Sequence, residues 1–510
     1  MTKTNRTTGT GDRAAVAAAT AAVLPLALAQ FICSYAASNM NVAISSIAED
    51  IGTTVTGIQA TITLFTLTMA ALMIPGSKLT DIRGRKVCFV AGLTVYGVGA
   101  LLAALAPGLG LLVLGYSFLE GLGSALLIPP IYILVTVLFD DIKVRARYFG
   151  IVSGAGGIGA AAGPLIGGLV TSYISWRASF LLQVVVVAVI ALLARRIVDP
   201  PLPEPRPRFD LLGAILSAAG LFFVVFGILQ TSIYGWGTAK KDFMIGNTVV
   251  IAQGGISPVW LYVAIGALVL LAFFLHIRSK ERHGETPLVS ARLFRNRTSN
   301  LGLVTQNLQW LVLQGAFFVI SVFLQQVRGY SAIQTGVILL PATIGVLLSS
   351  AAAQRMASRH SQRRLIRAGF GATLFGFGLL LALVPLAATR VWTFVPGLFA
   401  MGIGIGIMLT ASVNLVQSAW PDQVQGDISG ISRSVSNLGS SLGVAIAGSL
   451  IAAATTSFTS PYRFGILVLT AFTLIGYVTA LLIPRQPSSP QPSPQPEVAA
   501  EAGDREAPST

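Results

Sequence analysis

Gly150-x8-Gly159-x3-Gly163-Pro164-x2-Gly167-Gly168 is the stretch whose reading decides the fold, because it returns 280 residues later as Gly430-x8-Gly439-x3-Gly443-x4-Gly448. The copies coincide at Gly150, Gly159, Gly163 and Gly168, and they differ at Pro164, where the second has Val444. Each ladder lies on an apolar stretch long enough to cross a bilayer. Glycines three to five residues apart let helix backbones approach closely in lipid. A parallel repeat of this kind implies two similar helical halves, an architecture that secondary transporters use.

Composition places the chain in a membrane. Hydrophobic residues make up 54% of its 510 residues and charged ones 10%, against about 25% charged in a soluble domain; mean hydropathy is +0.76. Fourteen apolar runs of spanning length extend from 14–47 to 465–484. The fold expected is an all-α polytopic membrane protein: two pseudo-symmetric six-helix halves, 14–196 and 299–484, with helices 7 and 8 inserted in the linker 197–298. The insertion follows from the repeat offset of 280 residues, which is longer than the 14–196 unit. Asp199 to Arg208 is proline-rich and reads as a stiff spacer. In the outer loop 234–258, Phe243 to Ile251 can form a small hairpin around Gly246-Asn247, and the sequence leaves that open. Residues 1–13 form a short cytoplasmic N-terminus, and 485–510, rich in Pro, Ser, Gln and acids, is expected to be disordered.

With the N-terminus inside, 28 of the 34 Lys and Arg residues fall on the inner side and 6 on the outer. That bias satisfies the positive-inside rule, so both termini are expected in the cytoplasm. It also accounts for the net charge of +15 without nucleic acid, because the charge sits in short loops beside anionic lipid. The apolar run continues past Ala27-Leu28-Ala29, so no signal cleavage is expected. Cys33 and Cys88 both fall in spans and imply no disulfide framework. None of the three histidines, His276, His283 and His360, stands at a metal-ligand spacing. No phosphate-binding loop occurs, so ATP is not expected as energy source. The reading is of a non-enzyme without metal or cofactor, and nothing specifies an oligomeric state.

Glu120 is the sharpest single residue. Of 19 acids it is the one well inside an apolar span, about nine residues and so about 14 Å deep into helix 4. An ionised acid there costs about 3 kcal/mol on insertion scales and marks a proton or ion pathway. Burial favours the uncharged acid, so Glu120 can exchange a proton near neutral pH. Helical spacing puts Ser117 and Ser124 on its face. Helix 1 carries a polar stripe, Gln30, Ser34, Ser38, Asn41 and Ser45; helix 2 adds Gln59, Thr63 and Thr66, and helix 9 adds Gln306, Trp310 and Gln314. These are candidates for a cavity between the halves near mid-membrane, although such stripes also join helices to one another.

The loop after helix 2 reads Gly76-Ser77-Lys78-Leu79-Thr80-Asp81-Ile82-Arg83-Gly84-Arg85-Lys86. It is similar to the inner-loop motif of the major facilitator superfamily, G-x-L-x-D-R-x-G-R-K; Leu79, Asp81, Gly84, Arg85 and Lys86 match, while Ser77 and Ile82 depart. The ladder at Gly150–Gly168 resembles the antiporter motif of helix 5 in that family's 14-helix drug:proton antiporter branch. The resemblance spans about 14–484. It implies that Asp81 faces the start of helix 13, for which Gly430–Ser432 is the expected place, and that Asp81, Gly84, Arg85 and Lys86 gate the inner side. It also implies that the helix-5 glycines bed against the other half, Pro164 bending the helix at a hinge.

The chain departs from that branch in its acid–base pair. Ala36 stands at the helix-1 aspartate position and Ser117 at the helix-4 arginine position, with Glu120 one turn away. A relocated proton site is one reading of this; a permanently protonated, hydrogen-bonded acid is the other. The function expected is proton-coupled export of amphipathic drugs, dyes or toxic organic cations across the plasma (inner) membrane. Arg outnumbers Lys 27 to 7, a hint of a GC-rich bacterial genome. The rival in the same fold is an exporter of a lipid or metabolite with different or no proton coupling. The rival of another class is a non-transporting receptor or scaffold, which fold alone does not exclude.

Overall fold

The computed structural model describes residues 8–139, 142–195, 197, 208–245, 248–356, 360–384, 390–420, 424–454 and 461–484. The tail 485–510 and most of the proline-rich spacer lie outside the described residues. Among the described residues, fourteen helices are long and apolar enough to cross a membrane. The first six are α1 (Ala22–Asp50), α2 (Val55–Arg83), α3 (Arg85–Ala104), α4 (Leu109–Val135), α5 (Gly150–Tyr173) and α6 (Trp176–Ala194). Next come α7 (Leu211–Tyr234) and α8 (Val259–Arg282). The last six are α9 (Arg297–Val327), α10 (Ala332–Ala353), α11 (Gln362–Leu383), α12 (Val391–Gln417), α13 (Asp427–Ile451) and α14 (Tyr462–Leu482). Backbone groups in hydrocarbon must be satisfied within the chain, and continuous helices do this.

Two seams join the first six helices to the last six: α2 lies along α13, and α5 lies along α10. The 280-residue repeat exchanges these pairs, α2 with α10 and α5 with α13, so one seam is the counterpart of the other. The inserted helices pair with each other, and α7 lies over the α2–α13 seam. Glycines set the closeness of that pair: a Cβ on Gly266 would stand 2.7 Å from Val224 N and 2.8 Å from the Gly220 carbonyl. Between α7 and α8 the chain does form a hairpin, β1 (Phe243–Ile245) antiparallel to β2 (Thr248–Ile251), with Ile245 opposite Thr248. The end of the bundle where α1 begins and α2 turns into α3 is here the basic face, and the other end is the opposite face.

Asp210 ties the inserted pair together at the basic face. It caps α7 by accepting from the Gly213 amide at 3.1 Å and also accepts from the Leu288 amide at 3.1 Å. His276 Nε2 of α8 lies 3.0 Å and Lys280 Nζ 3.6 Å from its Oδ1. Burial opposes its ionisation, but the His276 ring and the two amides prevail and hold the carboxyl below the usual carboxylate range. A depressed value contributes stability above the unfolded value near 3.9, lost as pH falls through the folded one. Asp210→Ala should therefore lower the melting temperature of the detergent-purified protein at pH 7, by the equivalent of about 1–2 kcal/mol. The difference should close as the pH is taken below about 3.9. Equal melting at pH 7 would show that this clasp does not stabilise the fold.

Candidate functional site

Glu120 sits where α4 leaves the regular α-helix, at the end of a π-helical stretch, Val113–Glu120. Such widened turns are often found at functional sites. Glycines bring α3 and α4 almost into backbone contact. A Cβ on Gly99 would lie 2.7 Å from Glu120 N, and one on Gly123 would lie 2.5 Å from Tyr96 N. The carboxyl is fully buried. It faces the Tyr96 hydroxyl of α3 and Cys33 of α1, which Ser124 also faces. Neither carboxyl oxygen makes a well-formed hydrogen bond among the described residues, although the Tyr96 hydroxyl is close enough to act on it. The acid is thus enclosed within the first six helices rather than placed on a seam. Ser117, expected on the same face, instead donates from its hydroxyl to the Thr61 carbonyl of α2 at 2.7 Å. The wider π turn rotates it away from Glu120. The other vacated family position, Ala36, offers its carbonyl to the Tyr116 hydroxyl at 3.0 Å.

The helix-5 ladder divides its contacts between two neighbours. A Cβ on Gly159 would lie 2.2 Å from the Phe31 carbonyl oxygen, one on Gly163 would overlap the Ser38 hydroxyl and lie 3.0 Å from Asn39 N, and one on Gly167 would lie 3.0 Å from the Asn39 Cβ. These three glycines therefore bed against α1 of their own half, which corrects the expectation that they face the other half. A helix packed on both sides turns its smallest side chains to its nearest neighbour, and that neighbour is α1. The contact across the seam is made by Pro164 and Gly168. Ala332 O would be 2.7 Å from a Cβ on Gly168, and Pro164 O only 2.3 Å from a Cβ on Gly336 of α10. Gly150 is half-buried at the basic-face end of α5. The second ladder repeats the scheme: Gly439 and Gly443 meet the Asn307 and Leu311 carbonyls of α9, and Gly448 meets Gln59 across the α2–α13 seam.

In the loop motif, Gly84 has φ +105° between α2 and α3, a conformation that only glycine adopts without strain. The helix containing α13 starts at Gln425 rather than Gly430–Ser432, because Asp427 in its first turn favours the amide-rich end. Asp81 does lie near that start, beside Lys78, Asp427 and Arg85. Lys78, not singled out from the sequence, makes the ion pair across the seam, 3.7 Å from Asp427. Arg433 of α13 adds a second link at this face, 4.5 Å over the Tyr132 ring of α4. Arg85 is buried with its Nε and one Nη lacking partners among the described residues. Lys86 donates to the Arg195 carbonyl at 3.3 Å.

Some of the polar residues picked out as cavity candidates join helices, and others bond within their own helix. Gln30 donates to the Ser34 hydroxyl at 3.2 Å, and both lie under Gly156 of α5. Ser38 is buried against Gly163. Gln306 exchanges hydrogen bonds with Ser432 and Ser436 of α13. Gln314 crosses between the halves to the Ala37 carbonyl at 3.2 Å, and Trp310 beside it is half-buried. Asn41 offers its carbonyl to Gln325 of α9 at 3.4 Å, while the Ser45 amide donates to Gln325 Oε1 at 3.2 Å and Gln326 donates to the Ser45 hydroxyl at 2.9 Å. The halves are thus bonded at the opposite face. Gln325 and Gln326 were missed because a pair of glutamines at a span's end reads as ordinary interface chemistry. A cavity of about 240 Å³ lies between α2, α9, α13 and α14, lined by Gln59, Phe318, Phe323, Gln326, Ile451 and Tyr462 among others. That is below the roughly 300–1,000 Å³ of a formed small-molecule site.

A sequence model of the Major Facilitator Superfamily matches residues 26–245 and 243–444. The chain is similar to the puromycin resistance protein pur8 of Streptomyces alboniger, 29% identical over 445 residues, 87% of this chain and 84% of that protein. It is similar to the cephamycin export protein CmcT of Amycolatopsis lactamdurans, 29% identical over 449 residues, 88% of each. The multidrug resistance protein Stp of Mycobacterium tuberculosis is 26% identical over 423 residues, 83% of this chain and 74% of that protein. Because the two family matches run from residue 26 to residue 444, through helices on both sides of the seams, the chain belongs to the Major Facilitator Superfamily.

Proposed function

We propose that this chain exports an amphipathic small molecule, such as an antibiotic, dye or organic cation, from a bacterial cell in exchange for protons. Its membrane is the inner one, with both chain ends and the basic face in the cytoplasm. The resistance and export functions named for its relatives support the export half of this reading. The observation that carries the proton half is Glu120, an acid sealed among α1, α3 and α4 with no charged partner and no well-formed hydrogen bond among the described residues. An isolated anion there would be costly, so the enclosure suits the neutral acid, and proton release has to accompany a rearrangement.

The neighbouring contacts give that rearrangement a direction. Tyr96 and Tyr116 hold the Ile32 and Ala36 carbonyls on one side of α1. On its other side, the α5 ladder presses on Phe31, Ser38 and Asn39. A change of charge at Glu120 disturbs Tyr96 first, then α1, then α5 and its Pro164–Gly336 contact with the other half. Coupling of this kind needs a contiguous chain of packed groups, and α1 is its middle. The substrate binds between the halves, near Gln314 and Trp310, once the seams part. A second reading, export without protons, draws on Ala36 and Ser117 standing where the branch has its charged pair.

One experiment separates them. Protein in liposomes, clamped by potassium and valinomycin, is given ethidium or puromycin with and without a pH step. With one titrating site, the simplest cycle exchanges one proton for one substrate. A monocation such as ethidium then moves no net charge, and a membrane potential, worth about 2.3 kcal/mol per charge per 100 mV, does almost nothing. Ethidium flux should follow the pH gradient and ignore a potential imposed at equal pH. Flux indifferent to the pH gradient for every compound would leave the proton-free exporter standing. Strong potential-driven ethidium flux at equal pH would mean that more than one proton is exchanged per ethidium or that ethidium moves without protons.

A further inference from the structure

Around Glu120 buried polar groups gather in one place, near one another yet without a well-formed hydrogen bond. Among the described residues they include the Tyr35 hydroxyl, the Asn39 side-chain oxygen, the Ser124 and Ser179 hydroxyls and the Gln183 amide nitrogen, besides both Glu120 oxygens. They come from α1, α4 and α6, and all six residues are at most 4% exposed. Tyr35 faces Ser179 and Asn39. Gln183 bonds Tyr96, and Tyr96 faces Glu120. Buried polar groups are nearly always hydrogen-bonded, to water when protein offers nothing, and a buried water typically bridges about three such groups.

The arrangement is one-sided. On α6, Trp176, Ser179 and Gln183 lie at helical spacing on one face, about 10 Å from first to last at 1.5 Å per residue. Trp176 Nε1 at the outer end donates to Asp50 at 3.1 Å, and Asp50 also pairs with Arg177 at the opposite face. Polar side chains thus lead from that face to Glu120. Towards the basic face α3, α4 and α6 supply Phe89, Leu93, Leu127 and Ile190, all buried and apolar. The titratable groups facing the acid are Cys33 of α1, Tyr96 of α3 and Tyr116 of α4. The charged pair is Asp50 with Arg177 at the mouth.

We propose that the polar interface between α1, α3, α4 and α6 carries a water-bridged proton path from the opposite face to Glu120, with Gln183 and Tyr35 as its positioning residues. A proton from outside passes along the waters, each accepting one and giving one up, until a Glu120 carboxylate becomes the carboxylic acid and the last hydronium becomes water. The apolar floor stops it there. Release to the basic face waits on the movement of α1 against α5, which makes the step directional. The inference rests on the proton-coupled reading above, yet it concerns a path that is measurable without transport.

The test is deuterium exchange of the Glu120 carboxyl, followed by its infrared C=O stretch and identified as the band missing from Glu120→Gln. In the parent the band should shift within minutes of transfer to D2O without unfolding. Gln183→Leu should slow that shift at least tenfold. Tyr35→Phe, which removes a single hydroxyl and preserves the ring, should slow it several-fold and guards against misfolding of the first variant. Exchange as fast in both variants as in the parent, or a parent band that shifts only on unfolding, overturns the path. If exchange behaves as expected but no flux responds to a pH gradient, the path stands and proton-coupled export falls. If flux responds and the variants exchange like the parent, export stands and the path falls.

Discussion

Glu120→Gln is expected to keep the protein folded in the membrane and to reduce pH-gradient-driven export to the level of empty liposomes. The amide nearly matches the acid in shape, and its enclosure among Tyr96, Cys33 and Ser124 suits an uncharged group. Yet an amide cannot take up and release a proton. Ethidium binding and exchange of ethidium for ethidium, which need no net proton movement, should survive. The measurement is flux under an imposed pH step at matched reconstitution, with binding followed by fluorescence. A Gln variant that pumps against a gradient as well as the parent would show that Glu120 is a buried structural acid and nothing more.

Gly336→Leu should have the second large effect. The Pro164 carbonyl oxygen lies 2.3 Å from where its Cβ would stand, so a leucine has to push α10 away from α5. Overpacking costs about 1–3 kcal/mol; placed on the conformation in which this seam is closed, it shifts the ratio of conformations by roughly tenfold. Export should fall by about that factor, with little change in melting temperature because each half is left intact. Gly159→Leu and Gly439→Leu meet carbonyl oxygens at 2.2 Å inside their own halves, those of Phe31 and Asn307. Both should lower the melting temperature, and by similar amounts. The glycine spacing taken with the antiporter resemblance would instead have Gly159→Leu or Gly163→Leu damage transport more than Gly439→Leu, because the first ladder would form the moving seam. Thermal unfolding and export at matched expression decide it: a Gly336→Leu protein as unstable as Gly159→Leu would erase the distinction between seam and packing.

The two ladders illustrate what a repeat can and cannot say. Spacing alone showed that both lie on helices and both pack closely, since absent side chains serve no other purpose in lipid. It could not say against what, because a glycine stripe carries no label for its partner. The loop motif was more legible. A turn that demands positive φ singles out Gly84, and the acid beside it had to find a cation or a helix start. That the cation across the seam would be Lys78 bonded to Asp427 was not legible, because Arg83, Arg85 and Lys86 are equally near in sequence.

By itself the sequence determined the class of the protein. Fourteen apolar runs, a one-sided distribution of Lys and Arg and an internal repeat are properties of composition and order, and the bilayer reads them residue by residue along one axis. It also determined that an acid lies deep in helix 4. Tertiary structure alone decided which way that acid points. The π turn at Val113–Glu120 and the glycine contacts of α3 with α4 rotate it into the first half, among Tyr96, Tyr116 and Cys33, away from the seams. Likewise Gln30, Ser38 and Gln306 are polar on any reading, but whether each lines a cavity or binds a neighbouring helix depends on what stands opposite. Rotation about a helix axis and the identity of its neighbour are long-range properties, set by packing between segments far apart in the chain, and a one-dimensional pattern does not contain them.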